Sequence, residues 1–342
     1  MRESIMKKLK SKEYDFLRTT KGLGENIAIL TVGGSYAYGT NVQTSDVDIR
    51  GITLHNQREI LAMKYREKPY EDKKTDTVIY TLKHIVPLLS GANPNVLEIL
   101  GTKEDHLFYI NEQGRLLREN VDLFLSKRVF NSFGGYATAQ LRRLQNALAR
   151  DSYPQAQKEK HILGSLLNQM DSFADKYEKF ESGSIELYID KSNKEDYETE
   201  VFMDISLNHY PLRDFKNIYS EMSNIVKSYE KLNNRNKKKD DKSLNKHAMH
   251  LIRLLIMGTE ILEGKGVNTY REKDREFLLK IRNGDYVTVK NGVKDYSLFF
   301  EIVDEYEKKF RYAAKNTSLP EKPDHEKIDA LVEAINLSIL KV

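Results

Sequence analysis

Between Asn26 and Val32 the chain reads Asn-Ile-Ala-Ile-Leu-Thr-Val, and it then meets two glycines, Gly33 and Gly34. A run this short, apolar and β-branched reads as a buried strand, and the glycines end it in a turn that other groups can approach closely. After a loop of small and polar residues, Val47-Asp-Ile-Arg-Gly-Ile-Thr-Leu54 reads as a second strand. A third is expected over Thr75–Thr81, passing into a helix over Leu82–Ser90 that Gly91-Ala-Asn-Pro-Asn95 breaks. Strands and helices mixed in this way over the first 110 or so residues point to a small α/β domain.

From Asn111 onward the apolar residues recur at three and four, as in Leu116, Leu117, Val121, Phe124 and Leu125, so the remainder reads as mainly helical. Between Ser184 and His209 the pattern alternates instead, which predicts a hairpin inserted into the helical part. Lys231–Lys246 is dense in charge and almost free of apolar residues, and it reads as a mobile basic loop. A long helix is expected from Lys246 to about Glu263, stopped by Gly264 and Gly266, and a last one from about His325 to Leu340. The expected fold class is therefore α/β (α+β), with a small mixed sheet in residues 1–110 and a mainly α-helical domain over 111–342.

No apolar run approaches the length a bilayer crossing needs, and the opening MRESIMKKLK lacks a signal-peptide core, so the expected location is cytoplasmic. With no cysteine in 342 residues, disulfides, thiolate metal sites and cysteine nucleophiles are excluded. Any metal has to sit on oxygen or imidazole, which favours hard ions such as Mg²⁺ or Mn²⁺. A formal net charge of +4 is compatible with a polyanionic substrate without arguing for one.

The chemistry concentrates in Gly33-Gly34-Ser35 and in Asp46-Val47-Asp48. Two carboxylates two apart on a strand leave the same face, with Cα atoms about 7 Å apart, close enough to share or bracket hard cations. Val47 would point the other way, into the core. Exposed amides at a glycine-serine corner, where a short helix begins, can cradle a triphosphate, and the Ser35 hydroxyl adds a donor. Either motif alone is commonplace; a phosphate cradle followed by a carboxylate pair makes a nucleotide-handling combination.

Gly34-Ser35 followed by Asp46-Val-Asp48 resembles the signature of the polymerase-β-type nucleotidyltransferase superfamily. Further stretches are similar to a narrower group, the nucleotidyltransferases of RNA-repair gene neighbourhoods in bacteria and phages. These are Asn93-Pro94-Asn95 with Glu98, Gly134-Gly135-Tyr136-Ala137, Lys246-His247-Ala248 with His250 and Arg253, Tyr270-Arg271, and Ser318-Leu319-Pro320. The resemblance implies a nucleotidyltransferase domain, an NTP substrate, paired divalent ions (Mg²⁺ or Mn²⁺) and an RNA acceptor. It also implies a third carboxylate on a neighbouring strand. Asp76 is the first choice, with Asp72, Glu71 and Glu98 as rivals. Asp46, Asp48 and Asp76 are thus the expected catalytic and metal-binding residues.

Lys246, His250 and Arg253 fall on one helical stripe that could meet a triphosphate or a nucleic-acid backbone. With Gly33, Gly34, Ser35 and Asn93 they complete the expected nucleotide-binding set. Asn93-Pro94 also reads as a simple turn. Arg271, Arg275 and Arg282 read as a phosphate clamp or as surface, and Tyr36 and Tyr38 as base-stacking candidates. Two other functions fit the same residues: transfer to a protein or small molecule, and a catalytically inactive nucleotide- or RNA-binding protein. Base preference, acceptor and oligomeric state are not written in the sequence.

Overall fold

The computed structural model describes residues 2–66, 68–151, 185–191, 199–209, 211–213, 215–216, 219–220, 222–224, 226–227, 241–290 and 293–340. Helices α1 (Arg2–Leu9) and α2 (Phe16–Thr19) precede strand β1 (Ile27–Val32), short helix α3 (Gly34–Tyr38) and strand β2 (Ile49–Thr53). Helix α4 (Gln57–Leu61) leads to β3 (Tyr70–Asp72), β4 (Thr77–Thr81), α5 (Leu82–Ser90), α6 (Pro94–Leu100) and β5 (Leu107–Ile110). Then come α7 (Glu112–Glu119), α8 (Arg128–Asp151), strands β6 (Ile185–Lys191) and β7 (Thr199–Ile205), α9 (Asp241–Leu262) and α10 (Arg275–Asn283). A small ribbon, β8 (Thr288–Lys290) and β9 (Val293–Asp295), precedes α11 (Ser297–Asn316) and α12 (His325–Leu340).

The first five strands form one mixed sheet in the order β3-β4-β2-β1-β5. Only β2 and β4 run parallel; the other three pairings are antiparallel. All six residues of β1 are buried, as its apolar run requires of a strand covered on both faces. On one face Val32, Ile49, Ile79 and Phe108 pack with Ile5, Leu9, Tyr14 and Leu17 from the N-terminal helices. Helix α5 packs on the β2–β4 side and buries Ile85 and Leu89 completely.

The chain divides into two compact units, one of Met1–Leu141 with Asn245–Val342 and one of Arg142–Leu244. The first contains the five-stranded sheet. The last helix, α12, returns to pack beside α4 and α7, where Gln113 donates to Ser338 at 3.0 Å. In the second, β6 and β7 form the hairpin that the alternation between Ser184 and His209 predicts, in unbroken register from Ile185↔Ile205 to Lys191↔Thr199.

Three boundaries differ from the sequence expectation. β2 begins at Ile49 rather than Val47, so Asp46 and Asp48 precede the strand. β4 begins at Thr77, because Asp76 adopts a left-handed conformation (φ +44°) that interrupts the strand. α9 begins at Asp241 rather than Lys246, so the end of the expected basic loop is helical; most of that loop, 231–240, lies outside the described residues.

Candidate active site

β1 delivers the chain to Gly33, whose amide donates to the Asp48 carbonyl at 2.8 Å. That bond extends the β1–β2 ladder by one rung and sets Asp48 against the glycine corner. The fit is close. A Cβ on Gly34 would lie 1.7 Å from Asp48 Oδ2, and one on Gly33 would lie 2.7 Å from the Arg50 side chain. Gly34 also has φ +55°, so both its backbone and its missing side chain are used. α3 starts here, and among the described residues the Ser35 hydroxyl has no hydrogen-bond partner.

The parallel register of β2 and β4 supplies the second acid. Ile49 lies opposite Thr77, and the Ile49 amide donates to the Asp76 carbonyl at 3.2 Å. One residue earlier on each strand, Asp48 and Asp76 therefore stand side by side and hydrogen-bond through their carboxyls. Arg50, two residues beyond Asp48, donates to the Asp76 carbonyl and, at 3.1 Å, to its Oδ1. Asp tolerates the left-handed backbone better than most residues, and this turns the Asp76 side chain back toward its neighbour.

Burial pushes the Asp48 carboxyl up to about 6, with its hydrogen bond to Asp76 adding to the effect and the charge of Arg50 opposing it. The Asp76 carboxyl moves down, first through the hydrogen bond with Asp48 and then through Arg50 and Lys246. One shared proton, held on Asp48, accounts for both directions. Asp46 is exposed and unpaired among the described residues. It stands outside the Asp48–Asp76 pair, and no cluster of three or more His, Asp or Glu forms among the described residues.

A pocket of about 220 Å³ opens in front of the corner. Gly33, Gly34, Arg50 and Tyr80 line one side, and Asn95 and Glu98 of α6 line the other. Arg50 and Tyr80 belong to the sheet face that also carries Val78, since Arg50 lies opposite Val78 and Ile52 opposite Tyr80.

The remaining candidates have different surroundings from those the sequence suggests. Asn93 caps α6 by accepting from the Asn95 amide at 3.0 Å, and it donates to the Tyr136 hydroxyl; its neighbour Asn95 is the residue that lines the pocket. Lys246 is exposed and its charge reaches both acids. His250 is largely enclosed, and burial first, then Arg253, hold it well below the usual imidazole range, so it stays neutral. Arg253, 4% exposed, pairs with Glu98 and lies 3.7 Å over the Tyr38 ring. Tyr38 in turn donates to Glu98 at 2.6 Å. The expected basic stripe is thus one exposed lysine and two inward groups. Tyr38, 6% exposed, is closed off as a stacking surface, and Tyr36 packs against the core. Among the rival acids, Glu98 is committed to this buried cluster and Asp72 accepts from Thr75.

The three downstream arginines brace α3 from behind. The Arg271 amide donates to the Tyr38 carbonyl at 3.0 Å, Arg275 to the Gly39 carbonyl at 2.7 Å and Arg282 to the Thr40 carbonyl at 2.7 Å. The Arg271 guanidinium is itself held by Glu260 and Asp274. Carbonyls left over at the C-terminal end of a helix need such donors. Arg282→Gln is expected to lower stability by about 1 kcal/mol through loss of a charged donor to Thr40. Thermal melting measures it, and an unchanged midpoint would mean the bond contributes nothing.

Compared with known families, residues 1–171 match RlaP, described as RNA repair pathway DNA polymerase beta family. The chain belongs to that family. The RlaP match covers the sheet, the glycine corner and both converging acids, and it ends before the arginines that brace α3. No curated protein and no solved structure matches the chain. The RlaP assignment makes this a polymerase-β-type nucleotidyltransferase family member, and no described helix is long and apolar enough to cross a membrane.

Proposed function

We propose that the protein transfers a nucleoside monophosphate from an NTP to a hydroxyl of RNA, with Asp46, Asp48 and Asp76 as the residues that hold divalent cations. The observation that carries this reading is the meeting of the Asp48 and Asp76 carboxyls against the glycine corner, one pushed up to about 6 and the other down. The donor set fits Mg²⁺ or Mn²⁺: the oxygens are hard, two carboxyls already converge, and the exposed Asp46 is two residues from the first. Bound there, a divalent ion supplies acidification of the acceptor hydroxyl and neutralisation of the triphosphate charge.

The chain's own groups do the rest. The amides of Gly34 and Ser35 and the Ser35 hydroxyl hold the phosphates, and Lys246 adds positive charge. Arg50 fixes Asp76, which accepts the proton of the attacking hydroxyl. The new bond joins the acceptor oxygen to the α-phosphorus, the bond to the bridging oxygen breaks in line, and pyrophosphate leaves.

A screen of the four NTPs, each labelled at the α-phosphate, against total RNA and total protein with Mg²⁺ or Mn²⁺ tests this directly. Label on RNA is expected. Label on protein alone would replace RNA as acceptor, and label on neither would leave a nucleotide- or RNA-binding protein.

The acid pair also sets a pH dependence. Between 3.8, its ordinary value, and about 6, folded Asp48 holds a proton that the unfolded chain releases. Its contribution to stability is therefore full at low pH and fades as pH rises through about 6. A cation must displace that proton, so the rise in melting temperature caused by Mg²⁺ is expected to be larger at pH 7 than at pH 5. Using the metal-induced rise removes the opposing contribution of His250. That neutral histidine loses stability as pH falls below its ordinary 6.5, with or without metal. An equal rise at both pH values would contradict proton displacement at Asp48.

A further inference from the structure

Away from the pocket, basic side chains gather along the β3 edge of the sheet. Between Arg58 and Lys74 the chain carries six basic residues against four acidic ones, a denser excess than the chain as a whole. Two of those acids are turned to backbone amides: Glu59 accepts from Asn56 at 3.0 Å and Asp72 from Thr75 at 3.0 Å. Lys64, Lys68, Lys73 and Lys74 are exposed and in no ion pair among the described residues.

Their placement follows from the sheet. Lys73 and Lys74 form the β3–β4 turn and lead within two residues to Asp76. At the other end of β4, Lys83 lies 4.8 Å over the Tyr65 ring, and His55 meets the same ring edge-on at 4.8 Å. Between them Arg66 lies 4.0 Å over the Tyr70 ring on β3. Five strand residues separate the two ends, so the basic groups span about 17 Å beside the acid pair. Exposed cations along an extended track, with Arg66 and Lys83 held in place over tyrosine rings, supply the phosphate contacts that hold single-stranded nucleic acid.

We propose that this edge, from the Lys73–Lys74 turn past Arg66 to Lys83, binds single-stranded RNA and leads the acceptor strand to Asp76. The proposal rests on the reading of the pocket as a nucleotidyltransferase site with an RNA acceptor, but its test needs no transfer. The experiment is fluorescence anisotropy of the full chain with a labelled single-stranded RNA oligonucleotide over a range of salt, without NTP or metal. The wild type is compared with a variant carrying Lys64→Gln, Lys68→Gln, Lys73→Gln and Lys74→Gln.

Affinity is expected to fall at least about tenfold in the variant, and the slope of log K against log salt to become shallower by about 2 to 3. Circular dichroism confirms that the variant is folded. If it is not, Lys73→Glu alone serves, with a loss of about threefold or more expected at low salt. Nucleotide binding should not change in either. Equal RNA affinity and salt slope in wild type and variant would overturn the proposal, as would a wild type that does not bind the oligonucleotide. Self-association of the variant with unchanged RNA affinity would also overturn it, leaving the lysines as guards of an exposed strand edge. RNA binding that depends on these lysines, with no label transferred, would keep this surface and remove the transfer reading.

Discussion

Asp48→Asn is expected to lower nucleotidyl transfer by about 10²–10³-fold while the protein stays folded. The loss is large because the carboxylate acts on charge that develops in the transition state, where one preorganised group typically contributes about 10²–10³ in rate. The fold is spared because Asn has the same shape and the Asp48 carboxyl already holds a proton up to about 6. Without metal at pH 7, the variant should melt at or above the wild-type temperature, since a buried charge beside Asp76 has been removed. With Mg²⁺ the order should reverse, because only the wild type gains. Transfer of α-phosphate label and thermal melting, run together, check both halves. A variant that transfers label at more than a tenth of the wild-type rate would remove Asp48 from the chemistry.

Gly34→Ala is expected to have the second largest effect, and by a different route. The new methyl would lie 1.7 Å from Asp48 Oδ2, and no rotamer of an alanine can avoid that. Either the corner opens or the Asp48 carboxyl moves, and displacement of about 1 Å at a reacting centre commonly costs about 10²-fold in rate. The left-handed backbone at φ +55° adds strain, so stability should drop by about 1–3 kcal/mol as well. Gly135→Ala is the matched control, since a Cβ there meets nothing within 4 Å and the position is helical. Melting and transfer assays on the pair separate the two effects. A Gly34→Ala protein as active as the Gly135→Ala control would show that the corner does not hold Asp48 in place.

The parts of the fold legible in the sequence are those carried by local pattern. The apolar run before Gly33-Gly34 marks β1, because burial on both faces of a strand leaves a direct trace in residue order, and the alternation between Ser184 and His209 marks the hairpin. The partner of Asp48 leaves no such trace. Asp46 is nearer in sequence, yet Asp76 is the acid that meets Asp48, because the parallel pairing of β2 with β4 brings them level. β3 and β5 are too short, at three and four residues, to show a period. The stripe of Lys246, His250 and Arg253 is real, but spacing on a helix does not say which stripe faces inward. Packing against Glu98 and Tyr38 decides it for Arg253. Arg50 is not among the expected site residues, although it is two residues from Asp48, the strand spacing that puts both on one face. Asn95 was passed over for Asn93, the helix cap, although only the former reaches the pocket.

Titration with Mn²⁺ in the presence of a non-hydrolysable NTP analogue, followed by electron paramagnetic resonance, tests the joint role of Asp48 and Asp76 most directly. Tight Mn²⁺ binding is expected in the wild-type protein and should be lost in both Asp48→Asn and Asp76→Asn. An Asp76→Asn protein that binds Mn²⁺ as the wild type does would contradict the account, since the two acids would then be neighbours without being partners.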